Sequence, residues 1–329
     1  MKARTATLLV VALLAGACSG SDTEDPPAPA PTTVAGAPAA LAELPVPRTE
    51  VAAAVLGGRI VVAGGLTLDG AASDRVDIYD PAANRWEPAP ALPLGLHHSG
   101  MAALGDRVYV AGGYTNRAGQ DWVAQSRVLS LGRDDRAWRE EPALAAGPRG
   151  GLAMAAAGGR LVAVGGTDNR AGFLARTEVF TPGQRSWTAG PDMSEPRDHL
   201  AAAGSGGRIY AIAGRLGGLD TNKATVESWD PAAAGGGWRA EPGLNETRGG
   251  TSAAEAGGRP CVAGGEEPTG TIASIECLSG GRWSRVASLA TPRHGLGVAG
   301  LGDRLHVIAG GPQPGLFVSG AHEAFTVGG

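Results

Sequence analysis

The chain has 329 residues, 43% hydrophobic and 18% charged, with a formal net charge of -4. That length can bury a large core, and the slightly acidic balance offers no basic face for phosphates, which excludes nucleic acid as the expected partner. Its 54 glycines and 23 prolines do not run as Gly-X-Y triplets, which excludes a collagen-like fibre.

In chain order, the first segment reads as an address. Lys2 and Arg4 precede the apolar run ATLLVVALLAGA, which is too short to be a stable membrane span. The run ends in LAGAC, which resembles a bacterial lipobox, with Ala15 where leucine is more usual. The resemblance implies that residues 1–18 are a lipoprotein signal peptide and that Cys18 carries the lipid. The chain would then be exported and held at the membrane or envelope by that lipid alone; plain secretion after cleavage near Ala17 is the alternative. Residues 19–38 are rich in proline and alanine and nearly free of large apolar side chains, as in an extended tether. Residues 39–329 remain as the folded domain.

That domain is repetitive. Nearly one string recurs six times: GGRIVVAGG (57–65), GDRVYVAGG (105–113), GGRLVAVGG (158–166), GGRIYAIAG (206–214), GGRPCVAGG (257–265) and GDRLHVIAG (302–310). The central arginines are spaced 48, 53, 48, 51 and 45 residues apart, a period that belongs to propellers or stacked repeats. Each Gly-Gly or Gly-Asp pair lies between two strand-like apolar runs, a tight hairpin signal. The first run is alanine-rich, as in AMAAA (153–157), which suits a strand crowded near an axis. The second is bulkier and continuously apolar, which suits a strand covered on both faces.

A third run follows a variable loop, as in VDIYDP (76–81) and VESWDP (226–231), and then comes Trp86, Trp138, Trp187, Trp238 or Trp283. The Gly pair, the following acid and aromatic, and the tryptophan resemble the kelch family over roughly residues 40 to 329. The resemblance implies an all-β fold, a six-bladed kelch β-propeller with four antiparallel strands per blade. The tryptophans are expected between blades. The sixth repeat ends after HEAFTVGG without an outer strand, so residues near 36–44 are expected to supply it and close the ring.

Eleven residues before the repeat arginines stand Arg48, Leu96, Arg149, Arg197, Arg248 and Arg293. Arginines around a channel mouth, Arg197, Arg248 and Arg293 among them, could collect an anionic ligand. Alternatively they pair inside each blade with Asp77, Glu178, Glu227, Glu276 and Glu323, which follow by 28 to 30 residues. The blade with Leu96 places Ser126 or Arg127 near the acid's position, so arginine and acid are missing together.

Loops after each second strand share a face with the approaches to the first strands, where a rigid scaffold carries binding groups. Two contain NRAG: Asn116 and Arg117, and Asn169 and Arg170. These side chains and the irregular Trp122 could serve sugar or peptide recognition, or NRAG is duplicated turn chemistry. His98 and His199 lie two residues beyond Leu96 and Arg197 and are candidate ligand contacts, without the spacing of a metal site. Cys261 and Cys277 fall opposite one another by antiparallel counting, as a disulfide in an oxidising compartment or as two buried thiols.

No nucleophile–base pair or phosphate-binding loop is visible, so no catalytic residue and no cofactor is expected. Kelch resemblance implies a noncatalytic interaction module, here a monomer, whose loop face meets an extracellular or envelope protein or a carbohydrate. The alternative is a metal-free carbohydrate-active enzyme, an epimerase or lyase similar to the kelch sialic-acid epimerases, with His98 or His199 as base. A copper oxidase resembling galactose oxidase is harder to assemble, because Tyr79, Tyr109 and Tyr210 fall in predicted strands and both candidate thiols share one blade.

Overall fold

The inner hairpins explain the recurring signature. A two-residue turn between right-twisted strands needs positive φ. In the computed structural model, which describes residues 41–168 and 172–328, Gly57 and Gly58 both supply it, at 58° and 79°. In the Gly105-Asp106 turn the glycine alone does so, at 64°. Cys18, the expected signal and tether segments, Asn169 and Arg170 lie outside the described residues.

Blade one runs Ala52–Leu56, Arg59–Ala63, Val76–Asp80 and Arg85–Pro88, paired antiparallel in that order from the inside outward. Blades two to five repeat this four-stranded order. Their first strands are Gly100–Leu104, Ala153–Ala157, Ala201–Ser205 and Ser252–Ala256. Blade six has three strands among the described residues, Gly297–Leu301, Arg304–Ile308 and His322–Thr326. The alanine-rich first strands surround a central channel lined by Ala53, Ala103, Ala155, Ala203, Ala254 and Ala299. The bulkier second strands are buried on both faces, with Val61, Val108, Val162, Ile209, Val262 and Leu305 all shielded from solvent.

The hydrophobic core is divided into layers between neighbouring blades. The regular tryptophans sit there as expected, and four also stitch blades together. Indole Nε1 of Trp86, Trp138, Trp187 and Trp238 donates to the carbonyl of Ala42, Pro90, Pro142 and Pro191, at 2.8 to 2.9 Å. Ala42 therefore takes the place that Pro90 and Pro142 hold after other outer strands. Its amide also donates to Asn84 Oδ1 at 2.9 Å, and the Leu44 amide donates to the Gly320 carbonyl of blade six at 2.8 Å. These contacts put the N-terminal segment at the seam between blades six and one. The part of the expected closing strand before residue 41 is outside the described residues.

All five acid pairings inferred from spacing are present: Arg48–Asp77, Arg149–Glu178, Arg197–Glu227, Arg248–Glu276 and Arg293–Glu323, at 2.6 to 2.9 Å. The five arginines are among the largest fully buried side chains in the protein. Blade two differs from expectation. Its register sets Leu129, not Ser126 or Arg127, at the acid's position, opposite Val110 as Glu227 is opposite Ala211. The longer loop of blade two carries its own small hairpin, Tyr114–Thr115 with Val123–Ala124, and shifts the count. Leu96 and Leu129 share one apolar cluster, so blade two replaces an ion pair by an apolar pair.

Cys261 and Cys277 are direct cross-strand partners and are joined by a disulfide.

Glu227→Gln leaves the Arg197 charge buried without its counter-ion and is expected to cost about 3–5 kcal/mol. By the example of blade two, the double variant Arg197→Leu/Glu227→Leu should lose less than the sum of its two single variants. Urea unfolding of the four proteins checks this; strict additivity would show that the two residues do not act as a pair.

Candidate functional site

Where the first strands begin, the six blades are linked by backbone. The amides of His98, Gly151, His199, Gly250 and Gly295 each donate to the carbonyl of the preceding blade's counterpart, starting at Glu50, over 2.8 to 3.2 Å. Val51 N completes the circle onto Gly295 O at 3.3 Å. These six residues all stand two positions beyond Arg48, Leu96, Arg149, Arg197, Arg248 and Arg293, and all have φ between 50° and 63°. Glycine adopts that left-handed conformation freely, whereas other residues pay about 1–2 kcal/mol. Three blades use glycine there; the others hold Glu50, His98 and His199.

Those three side chains face a cavity of about 320 Å³, lined also by Trp122, Arg215, Glu266, His294, Leu66 and Leu316. One position before the circle, Thr49, His97, Gly150, Asp198, Gly249 and His294 form single bridges to the first residue of each blade's outer loop: Leu66, Tyr114, Thr167, Arg215, Glu266 and Gly311. The bridges fix where Leu66, Arg215, Glu266 and His294 emerge. Below the mouth the circle narrows to a neck of about 90 Å³, and the alanine channel continues beneath it.

The wall is a connected polar network. Glu50 lies 3.3 Å from His98 Nε2 and 3.3 Å from His294 Nδ1. His294 Nδ1 is also 3.5 Å from Glu266, and its Nε2 donates to the Gly315 carbonyl. Glu266 accepts from Arg215 Nη1 at 2.7 Å, and Asp198 accepts from His199 Nδ1 at 2.9 Å. Both His294 nitrogens thus face acceptors, which favours its imidazolium form. Burial lowers the His294 pKa, but the Glu50 and Glu266 carboxylates outweigh this and raise it above the usual value. Burial would raise the Glu50 pKa, yet the surrounding histidines hold it below the ordinary carboxylate range. Burial pushes His97 down to about 4 and His98 well below its ordinary value, against the opposing pull of Glu50.

Trp122, from the loop hairpin of blade two, packs on His97, His98 and Tyr114 with ring centroids 4.6, 4.9 and 5.4 Å away. It is still 45% exposed. Val123, next in sequence, and Leu316, which lines the same cavity, are exposed as well, as are Leu68 and Phe317 on the loops of blades one and six. Asn116 braces this rim by donating to the Gly70 carbonyl at 2.8 Å, while Arg117 is exposed and its carbonyl accepts from the Gln120 amide. For blade two, NRAG is therefore turn chemistry and bracing. Its counterpart with Asn169 and Arg170 falls outside the described residues. A larger groove, about 440 Å³, lies along blade five between Glu246 and Arg285. Its Glu246 is already engaged by Arg248 and Ser274.

The structure thus gathers His98, His199 and Trp122 at one mouth. It does not bring Arg197, Arg248 and Arg293 there, since they are buried inside their blades. Sequence reasoning missed Glu50, although it shares the offset that singled out His98 and His199. It also missed Asp198, Arg215 and Glu266, although Asp198 stands one position before His199 and Arg215 and Glu266 each stand seven beyond a repeat arginine.

Acid should weaken the mouth. The depressed His97 pKa means its contribution to stability is full above about pH 6.5 and is lost as pH falls toward about 4. The raised His294 pKa has the opposite sign: its contribution is full below about pH 6.5 and is lost as pH rises through the folded value. His97→Asn is expected to flatten the loss of thermal stability between about pH 6.5 and 4. An unchanged slope would show that His97 is not held neutral.

Comparison with known proteins agrees with the architecture. A family model described as the Kelch motif matches residues 47–93 and 148–194. The Kelch-like protein terF of Aspergillus terreus is 26% identical over 268 residues, covering 76% of this chain and 58% of that protein. Kelch-like protein 34 of Homo sapiens is 34% identical over 143 residues, 40% of this chain and 20% of its own length. The chain thus spans between about a fifth and three-fifths of these relatives. A solved structure, that of YjhT, superposes with a TM-score of 0.73 at 16% identity, covering 86% of this chain and 95% of that one, which bears on fold alone. With its six repeated hairpins, its blade order and these matches, the chain is a kelch-repeat β-propeller.

Proposed function

We propose that the chain is an interaction module that recognises a protein or a carbohydrate at the channel mouth on its loop face. One observation carries this reading. Glu50, His98 and His199 occupy left-handed positions that glycine fills in the other three blades. Strain retained around a cleft is more often tied to function than to stability. Trp122 and Leu316, exposed where they line the cavity, and the neighbouring exposed Val123 support contact with a partner larger than the cavity itself. The kelch-like relatives support the general class of interaction scaffold.

The reading includes export. LAGAC and the Cys261–Cys277 disulfide both suit a lipid-anchored chain outside the cytoplasm. In membrane fractionation, Cys18→Ser is expected to release the chain into the soluble fraction; retention would remove the anchor.

His199→Gly tests the mouth. It relieves the left-handed strain, so thermal stability should stay within about 1 kcal/mol of the parent or rise. The full chain is screened against a displayed peptide library and a glycan array. Hits should be weakened by His199→Gly and Trp122→Ala and unaffected by Val286→Ala on the outer strand of blade five. Hits that survive both mouth substitutions would place recognition elsewhere.

A further inference from the structure

The wall of the mouth carries a balance of charge that selects among ligands. Glu50 and Glu266 are matched by Arg215 and His294, and Asp198 is matched by its hydrogen bond from His199. The five blade arginines cannot compensate an anion, because each is committed to its own blade's carboxylate. A carboxylate or phosphate entering the cavity would meet Glu50 and Glu266 with little cationic charge to spare. An ammonium group would meet Arg215 and His294. A hydroxyl both donates and accepts, so only a hydroxyl-rich ligand can use donors and acceptors around the whole wall.

Shape points the same way. Trp122 offers a half-exposed aromatic ring to the cavity, whose lining also includes the apolar Leu66 and Leu316 together with the polar groups. The volume of about 320 Å³ lies near the lower end of small-ligand clefts, roughly 300–1,000 Å³. An apolar face backed by one ring and an edge of alternating donors and acceptors describes a pyranose.

We propose that the channel mouth binds a neutral, hydroxyl-rich sugar ring, stacked on Trp122, with its hydroxyls shared among Glu50, Glu266, Arg215 and His294. The ring is either a free monosaccharide or the terminal unit of a glycan. The proposal rests on the mouth being the recognition site.

The full chain is titrated by calorimetry and tryptophan fluorescence with glucose, galactose, mannose and N-acetylglucosamine. Trisaccharides ending in each are run in parallel, with glucuronate and glucosamine as charged counterparts. The expected result is that at least one neutral sugar binds and that the charged counterparts bind about tenfold or more weakly. Trp122→Ala should weaken the neutral sugar about tenfold, while Trp122→Phe, which keeps a flat face, should retain most of the affinity. Tighter binding of the trisaccharide assigns the site to a glycan end, and equal binding assigns it to the free sugar. A charged counterpart that binds more tightly, and still depends on Trp122, overturns the neutral-sugar inference and leaves the mouth as the site. Failure of every sugar, with peptide hits that depend on Trp122, overturns it in the same way. Sugar binding identical in the parent and in Trp122→Ala and Glu50→Gln overturns both readings.

Discussion

The mouth hangs on the buried arginine that precedes five of the six first strands. Arg197 Nη1 donates to the carbonyls of Ala213 and Thr225, and its Nη2 donates to Glu227. Arg248 makes the equivalent contacts with Gly264, Ser274 and Glu276. One side chain therefore ties the approach of the first strand to both stems of the outer loop and to the third strand. The residue two positions further on is then carried into the backbone circle, and the residue between them bridges the start of the loop. Such a buried pair is a weak source of net stability. Its value here is geometric, because it sets the height and direction at which each blade presents its wall residues.

Blade two shows what remains when the strut is apolar. Leu96 and Leu129 fill the space, the circle passes through His98 unbroken, and the loop above, the longest of the six, has its own hairpin and carries Trp122. The most elaborated loop thus stands on the blade whose interior lacks the ion pair, while blade three, with Gly150 and Gly151, leaves its share of the mouth bare. A sixfold scaffold is turned into an asymmetric site by changing side chains and loops at fixed register.

The fold was legible because it is written six times over. Hairpin turns, strand character, the tryptophan layer and the five ion pairs each recur at nearly constant spacing, so one uncertain repeat is corrected by the others. The disulfide was legible from antiparallel counting over a short loop. Reading failed where the spacing changes, since the longer loop of blade two hid Leu129. Arg215 and Glu266 keep a constant offset, seven residues beyond Arg208 and Arg259, but the residue type there differs in every blade, so no repeated chemistry marks the position. Glu50 was overlooked for a different reason. Its chemistry differs from that of His98 and His199, so a search by residue type passed over a position that a search by backbone conformation finds at once. The anion-collecting arginine ring was a reading of side-chain chemistry without depth; burial in the blades decides against it.

The backbone circle has an electrical consequence. In a helix the peptide dipoles align head to tail along a line and leave partial charges at its ends. Around the channel the same donor-to-acceptor sequence is bent into a closed loop. Dipoles tangent to a circle sum to zero, and a loop has no terminus at which amides stand unpaired. The propeller axis therefore carries no fixed field from this circle, in contrast to the helix ends that attract anions. Whatever potential a ligand meets there is set by the side chains, which can be rewritten one blade at a time without disturbing the ring.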